Sequence, residues 1–333
     1  MSACERARQR AAFAADAGWA NAAEALLAGD ASFRTYFRLT RPGASVVLMD
    51  APPPREDVRP FIRVDRHLRG LGLSAPEILA ADEGNGFLLL EDLGDATFAA
   101  VLAAGGDEAE LYERATDVLV SLHAAGPAAL LPGLPVYLGE ALVEAAMLLP
   151  KWYLPAARHG PVDARECSDY RAAWRACLAA LPEMSTTLIL RDYHKDNLIW
   201  LPWRLGAKSC GLLDFQDAQE SHCAYDLASL LDDARRDVSP AVQASCIARY
   251  IDRTGVDADD FRAGLAVMAA QRHARILGLF VRLARRDGKP AYQNHLPRVW
   301  RQFETALRHD CLAPLRRWIE DVMPRDRAAP GAA

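Results

Sequence analysis

The pattern of apolar residues changes once along the chain, and this change constrains the fold more than any other feature. Up to Glu91-Asp92-Leu93-Gly94 the chain carries short alternating or apolar runs that are typical of strands. Beyond these residues almost every apolar pattern has helical spacing. We therefore predict an α+β fold with two lobes and a cleft between them: a small β-rich lobe over residues 1–93 and a mostly helical lobe over residues 94–333.

The same patterns predict the individual elements. In the first part we expect a helix over 5–28, a turn over 29–32, strands over 33–39 and 45–49, a helix over 55–70, and strands over 78–81 and 87–90. In the second part we expect helices over 111–125, 137–151, 168–180, 225–233, 240–254, 258–286 and 299–322. Short strands over 187–191, 198–201 and 210–213 interrupt these helices.

Charge, hydropathy and cysteine usage exclude several classes of protein. The 333 residues carry 39 basic and 44 acidic side chains, a net charge of −5, which argues against a sequence-independent grip on nucleic acid. No run approaches the roughly 20 apolar residues of a membrane helix, and residues 1–10 lack the apolar core of a signal peptide. The seven cysteines include no CxxC pair. We expect a cytoplasmic protein with reduced thiols, without nucleic-acid partners or membrane insertion.

Two short segments carry the residues that phosphoryl transfer needs. Asp192 ends a β-segment, Asn197 lies five residues on, and the apolar run 211–213 leads to Asp214. A carboxylate must orient the attacking hydroxyl and accept its proton, and oxygen ligands must hold Mg²⁺ on the triphosphate. Asp192 suits the first task, and Asn197 with Asp214 suits the second. An isolated Asp before a strand is usually a turn or cap residue, so the joint spacing is what favours catalysis.

The longer stretches around these residues resemble the aminoglycoside phosphotransferase and choline kinase family, whose members are related to protein kinases. The resemblance is carried by the D-x-H-x-x-N pattern of 192–197 and by Leu213-Asp214-Phe215-Gln216-Asp217-Ala218, and it extends over most of the chain. Asp50-Ala51-Pro52-Pro53 and Arg286-Asp287-Gly288-Lys289 are more similar to one branch of the family. Its members are bacterial kinases that phosphorylate the anomeric hydroxyl of N-acetylmuramate and N-acetylglucosamine in peptidoglycan recycling.

This resemblance implies a protein-kinase-like fold, ATP and Mg²⁺ as cofactors, and an amino sugar as the small-molecule substrate. It also assigns roles to single residues. Asp192 would be the catalytic base, and Asn197 and Asp214 would hold Mg²⁺. His194 and Asp226 would support the catalytic loop without touching the substrate.

For the nucleotide, the resemblance implies a hinge in which backbone groups of Glu91 and Leu93 hydrogen-bond adenine. Gly29, Asp30 and Ser32 would belong to the turn that covers the phosphates. That turn lacks the full GxGxxG pattern, so on its own it also fits an ordinary hairpin turn. The hinge segment on its own also fits an exposed charged linker.

A lysine typical of the kinase-like folds is missing. These folds place one on the third strand, where it pairs with the phosphates, but here that strand contains Val46-Val47-Leu48-Met49-Asp50. We expect Arg34 or Arg38, on the preceding strand, to neutralise the phosphates instead. Because this lysine is missing, the chain could also be a nucleotide-binding pseudokinase. The intact candidate catalytic and metal residues argue against this alternative.

Four basic residues are candidates for binding the acceptor and the lactyl carboxylate of N-acetylmuramate: Arg191, Lys195, His273 and Arg282. The last two belong to the helix 258–286, where basic residues recur at helical spacing, and the same pattern fits a solvated basic face equally well. An aminoglycoside or another small alcohol is the alternative acceptor, although a polycationic acceptor requires an acidic pocket. We expect the Asp232-Asp233 pair at the surface.

Overall fold

The computed structural model describes residues 3–29, 33–158 and 160–323. The α-helices are, in chain order, α1 Ala3–Asp16, α2 Arg59–Gly70, α3 Phe98–Ala103, α4 Glu108–Ala124, α5 Glu140–Ala146, α6 Leu154–Ala157, α7 Ala164–Ala179, α8 Tyr225–Leu231, α9 Pro240–Thr254, α10 Ala258–Arg285, α11 Leu296–Ala306 and α12 Ala313–Val322. The strands are β1 Ala23–Gly29, β2 Thr35–Arg41, β3 Ala44–Asp50, β4 Ile78–Asp82, β5 Phe87–Glu91, β6 Thr186–Ile189, β7 Leu198–Trp200, β8 Cys210–Leu212 and β9 Gln219–His222.

The described residues form two compact units. The first comprises those within Met1–Asp107 and Asp196–Asp217, and the second those within Glu108–Lys195 and Ala218–Ala333. An antiparallel sheet near the N-terminal side and a mostly helical remainder confirm the predicted α+β class. The lobe boundary between residues 93 and 94 stays a prediction, since compactness groups residues 94–107 and 196–217 with the first unit.

In the first unit, a five-stranded antiparallel sheet has the order β1-β2-β3-β5-β4. Helix α1 and the turn after it contribute Ala14 and Trp19 to a core cluster with Leu48, Phe87 and Leu89 of the sheet. A second, two-stranded sheet pairs β7 with β8. It is joined to the rest of the unit by backbone hydrogen bonds from Leu212 to Ser74 and from Trp200 to Ala96. The unit therefore holds the predicted hinge and both predicted metal residues.

Asp50, which opens the Asp50-Ala51-Pro52-Pro53 stretch, has a structural task. Asp50 is only 5% exposed, and its carboxylate accepts hydrogen bonds from Arg6 at 2.8 Å and from Arg10 at 3.3 Å. Both guanidinium groups also lie over aromatic rings of the sheet, 3.8 Å from the ring centroids. Asp50 therefore fastens α1 to the sheet by ion pairs that are largely shielded from water.

The predicted helix over residues 5–28 is wrong in its second half. Helix α1 ends at Asp16, Gly18 adopts a left-handed φ of +83°, and residues 23–29 form β1 instead. The segment Ala-Glu-Ala-Leu-Leu-Ala consists of good helix formers. Pairing with β2, from Ala23 opposite Thr40 to Gly29 opposite Thr35, overrides this local preference.

In the second unit, two of the long predicted helices are interrupted. Residues 137–151 contain α5 and the start of a π-helical turn, Leu149–Tyr153. Residues 299–322 contain parts of α11 and α12, separated by a short turn in which the His309 side chain accepts the N–H of Cys311. The long helix α10 approaches the π turn closely at Gly278, where a Cβ atom would lie 2.0 Å from the carbonyl oxygen of Leu148. No helix within the described ranges is long and apolar enough to cross a membrane.

Candidate active site

A cavity of about 470 Å³ lies within the first unit. Apolar side chains of β3, β5 and the β7–β8 sheet region, among them Val47, Leu90 and Ile199, line part of it. These side chains can enclose a flat base. Of the sequence-predicted nucleotide and metal residues, five lie on this one cavity: Arg34, Glu91, Leu93, Asn197 and Asp214.

The predicted hinge segment, residues 91–94, is held by hydrogen bonds and ion pairs to other residues of the first unit. The Glu91 N–H donates to the carbonyl of Glu77 at 2.8 Å, and the Glu91 carboxylate accepts from Arg204 at 2.5 Å. Asp92 accepts hydrogen bonds from Arg38 and from the N–H of Gly94. Burial works to raise the pKa of Asp92, but these hydrogen bonds hold it below its ordinary value.

Arg38 lies on β2 and binds the carboxylates of Asp92 and Asp95 at 2.8 Å each. The hydrogen bond that Arg38 donates to the Asp95 carboxylate is the largest contribution that raises the pKa of Arg38. Arg38 therefore braces the chain after the hinge. Of the two arginines expected to replace the missing lysine, Arg34 is the one that lines the cavity.

The predicted metal residues lie side by side. The Asn197 amide donates to Oδ2 of Asp214 at 3.5 Å, and the Gln216 amide donates to Oδ1 of Asp214 at 2.8 Å. The neighbouring Phe215 ring is buried against Phe61 of α2, with 4.8 Å between the ring centroids. This packing fixes the segment that presents the Asp214 carboxylate to the cavity.

The donor chemistry at Asn197 and Asp214 fits Mg²⁺, which prefers oxygen ligands and takes few of them from protein. Within the described part of the chain, no group of three or more His, Cys, Asp or Glu side chains is arranged to hold a metal ion by itself. A site with one amide and one carboxylate therefore suits an ion that arrives with a phosphate chain.

Among the non-glycine residues that the structure describes, only Arg191 and Asp214 have positive φ, +69° and +56°. Side chains with a Cβ rarely adopt this backbone conformation, and when they do, the surrounding structure must hold it. One of these residues precedes the predicted base and the other is a predicted metal ligand. The backbone is thus strained at both predicted catalytic segments.

In the second unit, Asp226 holds the segment before the predicted base. Its carboxylate, in the first turn of α8, accepts the backbone N–H groups of Leu190 at 2.5 Å and of Arg191 at 3.0 Å. Asp226 is 1% exposed, and burial raises its pKa to about 7, against the two backbone donors that favour the charged form. The Tyr193 hydroxyl anchors the loop further by donating to the carbonyl of Ala115 at 2.9 Å.

The predicted base Asp192 is surrounded by positive charge. Burial works to raise its pKa, but the charges of Arg275, Arg272 and Arg191 hold that pKa below its ordinary value. Asp192 is therefore a carboxylate at neutral pH, the form that can orient a hydroxyl group. His194 is buried beside the loop, and burial lowers its pKa, so its imidazole is neutral and suits the supporting role.

The candidate acceptor residues occupy different environments in the second unit. The guanidinium carbon of Arg191 lies 5.5 Å from the centroid of the Tyr137 ring, and Nε of Arg191 is buried without a hydrogen-bond partner among the described residues. Lys195 lies 4.0 Å from the carboxylate of Asp233, and Arg282 is half-buried on α10. His273 is fully buried, and burial with the charge of Arg272 lowers its pKa to about 3. The contact of His273 with the substrate stays a prediction, and the full burial of this residue does not support it.

Sequence reasoning did not single out Arg272 or Tyr137. Arg275 is one of the basic residues at helical spacing in the predicted helix 258–286, and its charge is the first among those that lower the pKa of Asp192. The expectation that Asp232-Asp233 lies at the surface is wrong, because Asp233 is 1% exposed and accepts the N–H of Arg235 at 2.8 Å. Asp30 and Ser32 lie outside the described residues, and Gly29 ends β1.

Comparison with known proteins places this chain in a class. The model of the phosphotransferase enzyme family matches residues 24–270. The chain therefore belongs to this family, and it is a phosphotransferase. A choline/ethanolamine kinase family protein from Mesorhizobium loti superposes with a TM-score of 0.62 at 16% identity, covering 93% of this chain and 99% of that one. This likeness confirms the predicted protein-kinase-like fold.

The chain is also similar to curated relatives. A Caulobacter vibrioides protein named N-acetylmuramate/N-acetylglucosamine kinase is 38% identical over 354 residues, which cover 96% of this chain and 97% of the relative. A Pseudomonas aeruginosa protein of the same name is 38% identical over 305 residues, covering 87% of this chain and 86% of that protein.

Proposed function

We propose that this chain is an ATP- and Mg²⁺-dependent kinase that transfers the γ-phosphoryl group of ATP to the anomeric hydroxyl of N-acetylmuramate or N-acetylglucosamine. The observation that carries the proposal is the 38% identity to the Caulobacter vibrioides kinase, which extends over nearly the whole of both chains. The cavity of the first unit and the charged surroundings of Asp192 in the second unit support it.

The nucleotide is assigned to the cavity of the first unit. Its apolar walls take the adenine, and the carbonyl of Glu91 and the N–H of Leu93 are the backbone groups proposed to hydrogen-bond it. Asn197 and Asp214 would hold Mg²⁺, which when bound neutralises charge on the phosphates. Arg34 supplies positive charge from the protein at the same cavity.

Asp192 is assigned the role of base. As a carboxylate it accepts a hydrogen bond from the anomeric hydroxyl, orients its oxygen toward the γ-phosphorus, and takes its proton as the new O–P bond forms and the bond to the leaving ADP breaks. Asp226 fixes the backbone before Asp192. Most of the rate acceleration would come from positioning and from electrostatic stabilisation of the phosphoryl group.

Arg191 is assigned to the lactyl carboxylate that distinguishes N-acetylmuramate from N-acetylglucosamine. Its Nε–H is a buried donor with no partner among the described residues, and such a donor favours a charged acceptor. It directly precedes Asp192 in the chain, so an acceptor aligned on Asp192 comes within reach of it. N-acetylglucosamine, which lacks the carboxylate, would use the same site without this contact.

A panel of acceptors tests the proposal. The purified protein is assayed with ATP and Mg²⁺ on N-acetylmuramate, N-acetylglucosamine, kanamycin and choline, with Asp214→Asn as the variant that removes a proposed metal ligand. We expect ADP release with the two amino sugars only, and its loss in Asp214→Asn. Turnover of kanamycin or choline alone would contradict the assigned acceptor. Mg²⁺-ATP binding without turnover on any acceptor would instead indicate a pseudokinase.

A further inference from the structure

The nucleotide cavity of the first unit is lined by an excess of negative charge. Among the described residues that line it, Arg34 is the one basic residue, whereas five lining residues are acidic: Glu91, Asp92, Asp95, Asp196 and Asp214. Kinase-like enzymes place a lysine on the third strand over the phosphates and hold it with a carboxylate. Strand β3 has no lysine, so Arg34 carries the task alone, and its side-chain position must be fixed in another way.

Two carboxylates lie next to the guanidinium group of Arg34. Nε of Arg34 lies 3.6 Å from Oε2 of Glu56, and its terminal nitrogen lies 3.9 Å from Oδ1 of Asp214. The guanidinium group is therefore held between two carboxylates. The Glu56 carboxylate is not part of the predicted metal site, whereas the Asp214 carboxylate is. Both Arg34 and Glu56 are largely shielded, with side-chain exposures of 14% and 18%, so solvent screens their attraction less than at an open surface.

Glu56 is in turn held by the backbone. It lies in the loop between β3 and α2, and its Oε1 accepts the N–H of Phe33 at 3.0 Å. One carboxylate thus binds the backbone just before Arg34 and the Arg34 side chain. These two contacts fix the position of the backbone just before β2 and the direction in which the guanidinium group of Arg34 points.

We propose that Glu56 is a positioning residue for phosphoryl transfer, and that the Arg34–Glu56 pair replaces the lysine–glutamate pair of other kinase-like enzymes. This inference rests on the proposed use of ATP. Glu56 draws the guanidinium group away from full pairing with Asp214. Arg34 then remains available to the phosphates, and the Asp214 carboxylate remains available to the metal. Without Glu56, the positive charge of Arg34 would turn toward Asp214 and compete with Mg²⁺ there.

Glu56→Gln tests the pair directly, because glutamine keeps an oxygen that accepts the N–H of Phe33 and removes only the charge that holds Arg34. We expect kcat/KM for ATP to fall by about 10- to 50-fold, as for loss of a shielded charged interaction. KM for the amino sugar should stay within about twofold. The adjacent Asp57→Asn is the matched control, since Asp57 pairs with the exposed Arg59 at 2.8 Å and should leave turnover unchanged.

A double-variant cycle separates positioning from general stability. If Glu56 acts through Arg34, then Glu56→Gln should add less than about twofold to the loss already caused by Arg34→Ala. Independent, multiplicative losses would overturn the inference, as would wild-type kinetics in Glu56→Gln. Mg²⁺-ATP affinity, measured by calorimetry without any acceptor, should weaken in Glu56→Gln. This readout holds even if the acceptor has been assigned wrongly, so failure of the pair and failure of the proposed function are distinguishable.

Discussion

The carboxylate of Asp226 accepts the backbone N–H of Arg191 at 3.0 Å, and Arg191 has a left-handed φ of +69°. The two residues are 35 positions apart in the chain. Residues with a side chain rarely adopt this backbone conformation, and here the buried carboxylate of Asp226, in helix α8, holds it in the loop after β6. Because Asp192 follows directly, this contact determines where the proposed base lies.

We expect Asp226→Asn to impair both turnover and stability. The amide keeps one acceptor oxygen and turns an NH₂ group toward the other backbone N–H, which then loses its partner. A buried donor without an acceptor costs about 1–3 kcal/mol of unfolding free energy, and the displaced base should lower kcat by about 10- to 100-fold.

Denaturant unfolding and steady-state kinetics check this prediction. Asp237→Asn is the control, because Asp237 forms half-exposed ion pairs with Arg298 and Arg301 and should lose less than about 1 kcal/mol. Wild-type turnover in a folded Asp226→Asn protein would refute the positioning role.

Replacement of Arg191 should change the preference between the two amino sugars. We choose Arg191→Asn, because asparagine tolerates the left-handed backbone and the variant therefore removes the charge without added strain. Loss of a charged hydrogen bond should raise KM for N-acetylmuramate by about 10- to 100-fold. KM for N-acetylglucosamine should change by less than about threefold.

The measurement is a comparison of KM for both sugars, with Arg285→Gln, an exposed position on α10, as the control for loss of one positive charge. An equal rise in both KM values would contradict the assignment of Arg191 to the lactyl carboxylate.

Asp65 on α2 should make the stability depend on pH. Its side chain is 1% exposed, neither oxygen has a hydrogen-bond partner among the described residues, and burial raises its pKa to about 7. The folded chain holds this proton more tightly than the unfolded chain. The stabilisation is therefore complete below about pH 4 and is lost as the pH rises through about 7.

Asp65→Asn mimics the protonated form at every pH. We expect the unfolding free energy of the variant to exceed that of the wild type by about 1–2 kcal/mol at pH 5, and by about 2–3 kcal/mol more at pH 8. Denaturant titrations at the two pH values check this. An equal difference between the proteins at both pH values would show that Asp65 does not titrate in this range.

The sequence carried enough information to predict that the proposed nucleotide and metal residues lie together. The spacing of Asn197 and Asp214 around two apolar runs predicted neighbouring side chains, and the structure places them within 3.5 Å. The apolar run before Glu91 likewise predicted a strand that ends at a hinge, and β5 ends there. Such features are local, because they depend on where a polar residue falls relative to the end of a neighbouring apolar run in the sequence.

Features that depend on distant contacts were not predictable in the same way. β1 consists of helix formers and becomes a strand only by pairing with β2. β9 is polar throughout and is held by β6 and by the bond from the Ser221 hydroxyl to the carbonyl of Tyr137. Glu56 has no motif around it. Its proposed positioning role follows from its distance to Arg34, which only the structure gives.

The most direct test of the proposed reaction is a ³¹P NMR spectrum of the protein with ATP, Mg²⁺ and N-acetylmuramate, recorded beside an Asp192→Asn control. We predict a new sugar 1-phosphate doublet that is absent from the control, because the variant lacks the carboxylate that orients the anomeric hydroxyl and accepts its proton. Calorimetry should show unchanged Mg²⁺-ATP affinity in that control. The absence of any sugar phosphate with both amino sugars, or an undiminished doublet in Asp192→Asn, would contradict it.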